Sequence, residues 1–193
     1  MARTPSTMLE LGTKAPDFQL PDFEGKLHSL SVFADAPALL VVFTCNHCPF
    51  VKHIRPEFAR FASEYLPQGL AIAAIVSNDL EAYPQDGPVA MREEATEFGY
   101  AFPYLIDESQ QVAKAYRAAC TPDFFLFDRQ RRLAYRGQFD GSRPGNADPI
   151  TGKDLRAAVD ALLSGAEVPT EQRPSLGCNI KWKPELAPDY AAS

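Results

Sequence analysis

Long apolar runs are missing from this chain. A segment such as residues 38–43 falls far short of the roughly 20 residues that a membrane helix needs, so no membrane span is expected. An excess of positive charge is missing as well. The 19 Lys and Arg are outnumbered by 25 Asp and Glu, giving a net charge of −6. The charges are scattered, and nothing resembles the basic footprint of a nucleic-acid binder. Residues 1–10 hold neither an apolar h-region nor a small-residue cleavage site, so no secretory signal is expected and the cytoplasm is the expected location. Cysteine is scarce, with 4 in 193 residues. So few thiols in a reducing compartment do not make a disulfide scaffold; they are catalytic, metal-binding or buried. Internal repeats and low-complexity segments are absent.

What is present is the composition of a globular domain of ordinary size, 46% hydrophobic and 23% charged, long enough to bury a real core. Phe18-Gln19-Leu20 and Leu27-His28-Ser29-Leu30 flank the turn Asp22-Phe23-Glu24-Gly25 and predict a hairpin, with His28 at its surface. Residues 38–44 and 70–76 are apolar and rich in branched residues, as strands buried on both faces are. Between them Phe50, Val51, Ile54, Phe58, Phe61, Ala62 and Tyr65 recur at helical spacing, with Pro56 as an expected kink. Further helices are predicted over 88–98, where Pro88 suits the first position, and over 109–118. Strands are predicted over 103–106, 124–127 and 133–139, the last two paired. Thr151 is the expected N-cap of a final helix ending near Gly165. Residues 166–193 are Pro-rich and are expected to be an irregular tail on the same domain, 1–165. The order predicts an α/β sandwich around a mixed sheet.

The strongest chemical signal is Thr44-Cys45-Asn46-His47-Cys48-Pro49. Two cysteines two residues apart can close a small disulfide ring or bind a metal. They lie where a buried strand hands over to a helix, and ligands of α/β sheets bind at such strand ends. The unpaired N–H groups and partial positive charge of a helix N-terminus stabilise a thiolate. Cys45 is therefore the expected exposed nucleophile, with a lowered pKa, and Cys48 the buried resolving thiol. His47, as a cation inside the ring, favours the thiolate and makes the disulfide more oxidising. A zinc or copper site would draw on Cys45, His47, Cys48 and His53, yet a structural zinc commonly takes two separated pairs and here there is one. No metal and no cofactor is expected.

Thr121-Pro122 precedes the strand at 124–127. A cis-proline facing a dithiol leaves the backbone of the preceding residue available to pair with an incoming strand. Cys120 and Cys178 are possible auxiliary thiols, each with a structural role as the alternative. Trp182 is the expected anchor of the tail.

Several strings resemble one family. Gly12-Thr13-Lys14-Ala15-Pro16-Asp17-Phe18 is similar to the opening of redoxin and AhpC/TSA domains, the peroxiredoxin-like branch of the thioredoxin fold. Phe43-Thr44-Cys45-Asn46-His47-Cys48-Pro49-Phe50-Val51-Lys52-His53 resembles a bacterial subgroup of that branch. The resemblance continues through Tyr83-Pro84-Gln85-Asp86 and Thr121-Pro122-Asp123-Phe124 to Pro174-Ser175-Leu176-Gly177-Cys178-Asn179-Ile180-Lys181-Trp182-Lys183. It implies a thioredoxin fold, Cys45 and Cys48 as the redox pair, and Pro122 as the cis-proline; the histidine between the cysteines matches DsbA-like oxidants. Thr44 replaces the tryptophan of thioredoxins, and Leu39 their buried aspartate, so a proton acceptor must come from elsewhere. Compared with peroxiredoxins, Cys48-Pro49 fits, but Cys45 takes the place of the expected threonine and Thr121-Pro122 that of the peroxidase arginine. Arg117 could stand in only if the fold brings it near.

The expected function is thiol–disulfide exchange in redox homeostasis, an antioxidant role. A thiol peroxidase passing through a sulfenic acid is one alternative and a metal-binding or metallochaperone module another. Expected partners are a disulfide-containing protein or a small thiol or peroxide as substrate, and a thioredoxin- or glutathione-type thiol as reductant. The Phe-rich composition leaves room for a homodimer interface without locating it.

Overall fold

Residues 38–44 are apolar at every position but the last, so a strand built from them must be covered on both faces. The computed structural model, which describes residues 3–192, places this strand at the centre of a five-stranded sheet. Met1, Ala2 and Ser193, and with them the first residues read for a secretory signal, lie outside the described residues. The elements are β1 (Arg3–Pro5), β2 (Gln19–Pro21), β3 (Leu27–Ser29), β4 (Ala38–Thr44), α1 (Pro49–Tyr65), β5 (Leu70–Val76), α2 (Pro88–Phe98), β6 (Tyr104–Ile106), α3 (Gln111–Ala115), β7 (Cys120–Thr121), β8 (Asp123–Phe127), β9 (Leu133–Gly137), α4 (Lys153–Ser164) and β10 (Leu176–Asn179). The sheet order is β6-β5-β4-β8-β9; β4, β5 and β6 run parallel, while β8 and β9 are antiparallel to their neighbours.

Alternation along β4 splits the core in two. Ala38, Leu40 and Val42 join Ile54, Phe58 and Phe61 of α1 and Leu155 and Val159 of α4 on one face. Leu39, Val41 and Phe43 pack on the other face with Val112 of α3 and with Phe18 and Leu20 from the β2–β3 hairpin. The hairpin pairs as its flanking residues predict. Most of the phenylalanines are spent in these two cores and locate no dimer interface; among the described residues the exposed large apolar ones are Leu27, Val32 and Val89. Among the described residues no helix is long and apolar enough to cross a membrane.

Several expectations are corrected. The helix predicted over 109–118 shrinks to α3, because Gln110 (φ 60°) and Arg117 (φ 51°) adopt left-handed backbone on either side of it. The strand expected to reach 139 ends at Gly137, where the Gln138 N–H turns to the carbonyl of Arg173. Gly152, not Thr151, is the N-cap of α4, and the Thr151 and Gly152 N–H groups instead donate to Oδ2 of Asp140 at 2.6 Å each. His28 is half-buried rather than at the surface, with Nε2 2.8 Å from Oδ2 of Asp22 in the turn.

The largest correction concerns the tail, which is not irregular throughout. Its strand β10 pairs with β1 on one side and β7 on the other, an antiparallel three-stranded sheet that no periodicity predicts. Strands of 2 to 4 residues are too short to show alternation, and their partners lie more than 50 residues away in sequence. Trp182 does anchor the tail: its ring packs on the second core and stands edge-on to Tyr190, 6.4 Å between centroids.

Candidate active site

β4 ends at Thr44 and delivers the Cys45–Cys48 segment to the C-terminal edge of the sheet. Cys48 is the N-cap of α1 (φ −64°, ψ 126°), Pro49 fills the first helical position, and the Lys52 N–H closes the first turn on the Cys48 carbonyl at 2.9 Å. A proline at that position forfeits no helical hydrogen bond, which sets where the helix begins. The helix continues through Pro56, its apolar face held by the sheet.

The two cysteines do not divide as exposed and buried. Both are fully buried, and with Cys178 of β10 they form one sulfur cluster backed by Val51 and Phe50. The Cys48 sulfur lies 2.8 Å from that of Cys178 and 3.2 Å from the carbonyl of Thr121. The Cys45 sulfur lies 3.4 Å from the Thr121 hydroxyl. The electrostatics also reverse the expectation. The Cys45 thiol hydrogen-bonds to Cys48, and thiol donation from Cys178 and the N–H groups of Val51 and Cys178 add to it; together they outweigh burial and lower the Cys48 pKa to about 5. Cys45 moves the other way, raised by donation to Cys48, by burial and by the Asp86 charge. A helix N-terminus favours the thiolate at its cap, and Cys48, not Cys45, occupies the cap.

Asp86 is the residue that sequence reasoning missed. It sits in the turn before α2, fully buried, and accepts four hydrogen bonds. Oδ1 takes the N–H of Asn46 (2.8 Å) and of His47 (3.1 Å); Oδ2 takes Nδ1 of His47 (2.7 Å) and Nδ2 of Asn78 (2.8 Å). His47 also stacks on Tyr83, 5.5 Å between rings. Asn46 is held further by the Tyr104 hydroxyl on its side-chain oxygen (3.0 Å) and by Arg55 on its carbonyl (2.8 Å). The dithiol loop is therefore fixed from three elements. The one trace of Asp86 in the sequence is the string Tyr83-Pro84-Gln85-Asp86, whose role only the fold defines.

Thr121-Pro122 is a cis peptide bond, and Pro122 lines a narrow crevice with Thr44, Val51 and Phe124. Cys120 is fully buried, its sulfur 3.6 Å from the Pro122 carbonyl, and burial raises its pKa. His53 points away from the thiols to Oγ of Ser142 at 2.8 Å, which removes it from the metal set. Cys45, His47 and Asp86 do offer ligand atoms within 4.8 Å of one another. Each Asp86 oxygen already accepts two hydrogen bonds, so a cation there would have to displace the donors that shape the loop. Arg117 stacks on Tyr190 at 4.9 Å, away from the sulfurs. Among the described residues no guanidinium hydrogen-bonds to Cys45 or Cys48.

A mixed sheet between helices, with a cysteine pair ending the central strand and a cis-proline beside it, defines the thioredoxin-like class. Within it the chain belongs to the AhpC/TSA family, whose model matches residues 11–136. It is 28% identical over 130 residues to the thiol-disulfide oxidoreductase ResA of Geobacillus thermodenitrificans, covering 67% of this chain and 70% of that one. A hypothetical protein of Sinorhizobium meliloti superposes with a TM-score of 0.92 at 58% identity, covering 94% of this chain and 99% of that one. An uncharacterized conserved protein of Geobacillus kaustophilus gives 0.93 at 52% identity, covering 95% and 98%.

Proposed function

We propose that this oxidoreductase exchanges disulfides through the Cys45/Cys48 dithiol, with Cys48 as the attacking thiolate and Cys45 as the resolving thiol. The observation that carries the reading is the place of Cys48 at the cap of α1, where the N–H groups of Val51 and Cys178 reach its sulfur. The Cys48 thiolate attacks a substrate disulfide, one substrate sulfur leaves as a thiolate, and a mixed disulfide forms. The Cys45 sulfur then attacks the Cys48 sulfur, releasing the second substrate thiolate and closing the ring disulfide. Losing its proton, Cys45 has the His47–Asp86 pair beside it as acceptor. An external thiol of the thioredoxin or glutathione type would reset the pair, in the cytoplasm, as part of redox homeostasis.

Peroxide is the second substrate worth testing, because Cys48-Pro49 fits the peroxidatic pattern and its thiolate is stabilised. Against it, no guanidinium among the described residues hydrogen-bonds to the sulfur, and cleavage of the O–O bond needs a polarising donor. Stopped-flow oxidation of the reduced protein by a model protein disulfide and by hydrogen peroxide separates the two. Wild type should react with the disulfide, Cys48→Ser should not, and the double variant Cys45→Ser, Cys178→Ser should stall as a mixed disulfide on Cys48. Fast peroxide consumption that survives Cys45→Ser would overturn the ranking.

A further inference from the structure

The edge that a cis-proline leaves open is already taken in this protein. β10 runs antiparallel to β7 with Cys178 directly opposite Thr121, the residue before Pro122. Gly177 permits the approach: a Cβ there would lie 2.1 Å from the Thr121 carbonyl oxygen, well inside contact. A strand of the chain itself thus lies where an incoming disulfide strand would pair, and it carries a cysteine. That sulfur is 2.8 Å from the Cys48 sulfur, and the peptide N–H of Cys178 donates to the same atom. Cys45 and Cys178 flank Cys48 from different elements, one from the loop after β4 and one from β10.

We propose that Cys178 is a third redox cysteine, which takes the disulfide from Cys45–Cys48 by attacking the Cys48 sulfur. This step rests on the dithiol reading above. The Cys45–Cys48 bond breaks and a Cys48–Cys178 bond forms; Cys178 gives up its proton and Cys45 leaves as a thiolate that takes one up. Two electrons are neither gained nor lost, so the exchange needs no oxidant beyond the substrate disulfide that closed the first ring. Cys178 is held as a thiol in the reduced protein by burial and by the neighbouring Cys48 sulfur, which push its pKa up to about 12. Once Cys48 is in a disulfide its charge is gone and the second of these restraints falls away. The exchange moves the oxidising equivalent from the helix cap to the β1–β10–β7 sheet, and it ties down the strand that covers the cis-proline edge.

Disulfide mapping tests this on the full chain. Reduced protein is oxidised with one equivalent of diamide, quenched in acid, alkylated and digested with trypsin without reduction. Cys45 and Cys48 fall in one tryptic peptide and Cys178 in another, so a Cys48–Cys178 bond appears as a cross-linked pair in the mass spectrum. The pair should form in wild type, persist in Cys45→Ser and Cys45→Ala, and be lost in Cys48→Ser and Cys178→Ser. Folded Cys45 variants that alkylate at both Cys48 and Cys178 after oxidation would overturn the proposal. Cys178→Ser reads the dithiol separately: failure to form the Cys45–Cys48 ring there, with cross-linking intact in Cys45→Ser, would sink the dithiol reading and the exchange step with it, leaving only a direct Cys48–Cys178 bond.

Discussion

Cys48 stands three residues after Cys45 in the sequence, and different groups set the charge of its sulfur. The first turn of α1 brings the Val51 N–H to Cys48 and β10 brings that of Cys178, while Cys45 meets a hydroxyl and a carboxylate charge. The consequence is measurable. A thiolate band at 240 nm should titrate in with a midpoint near pH 5 and be missing in Cys48→Ser. Because the pKa is lowered, the thiolate is fully formed well above that midpoint and lost as the pH falls through it. A first step above pH 8 would refute the assignment. The motif and its helix junction were legible in the sequence; which cysteine caps the helix was not, because the first helical residue depends on Pro49 and a shift of one turn exchanges the two roles.

At the scale of elements, the long ones were readable and the short ones were not. β4, β5, α1 and α2 carry enough periodic residues to define themselves. β1, β7 and β10 become strands only because they meet. Gly177 is the point where that meeting is tightest, since any side chain there collides with the backbone of Thr121 rather than with a movable side chain. Gly177→Ala should therefore lower stability by about 1–3 kcal/mol, the usual cost of overpacking. It should also loosen β10 from β7, and the buried thiols should then react faster with a bulky thiol reagent such as dithionitrobenzoate. Unchanged stability and unchanged thiol reactivity would show that β10 does not hold the cover in place.

For the whole molecule, stability carries the signature of buried carboxyls. Asp123, next to the cis-proline and completely buried, has its pKa raised from 3.8 to about 7 by burial; Glu94, beside Arg55, is raised from 4.5 to about 7 for the same cause. A carboxyl whose pKa is raised on folding binds its proton more tightly in the native state. Its contribution is complete below pH 4 and is lost as the pH rises through 7. Denaturant unfolding at pH 5 and pH 8 should show this loss. In Asp123→Asn the difference between the two pH values should shrink by about 2–3 kcal/mol, the two units of titration that lie between pH 5 and 7. The Cys48 thiolate works in the opposite sense, adding stability as the pH rises from about 5 to 9, and it cancels in the comparison of wild type with Asp123→Asn. An unchanged difference would mean that Asp123 titrates normally.

The sequence by itself determined the sandwich, its central strand and the place of the dithiol, because apolar periodicity and a strand–helix junction are local properties. It also pointed to Thr121-Pro122 beside the thiols. Only the tertiary structure decided which cysteine is stabilised as a thiolate, that Asp86 clamps the loop, and that Cys178 stands against Cys48. Asp86 and Cys178 come to the dithiol loop across 39 and 130 residues of sequence, from a turn and a tail strand, and electrostatic and sulfur contacts at that separation leave no pattern in a linear chain.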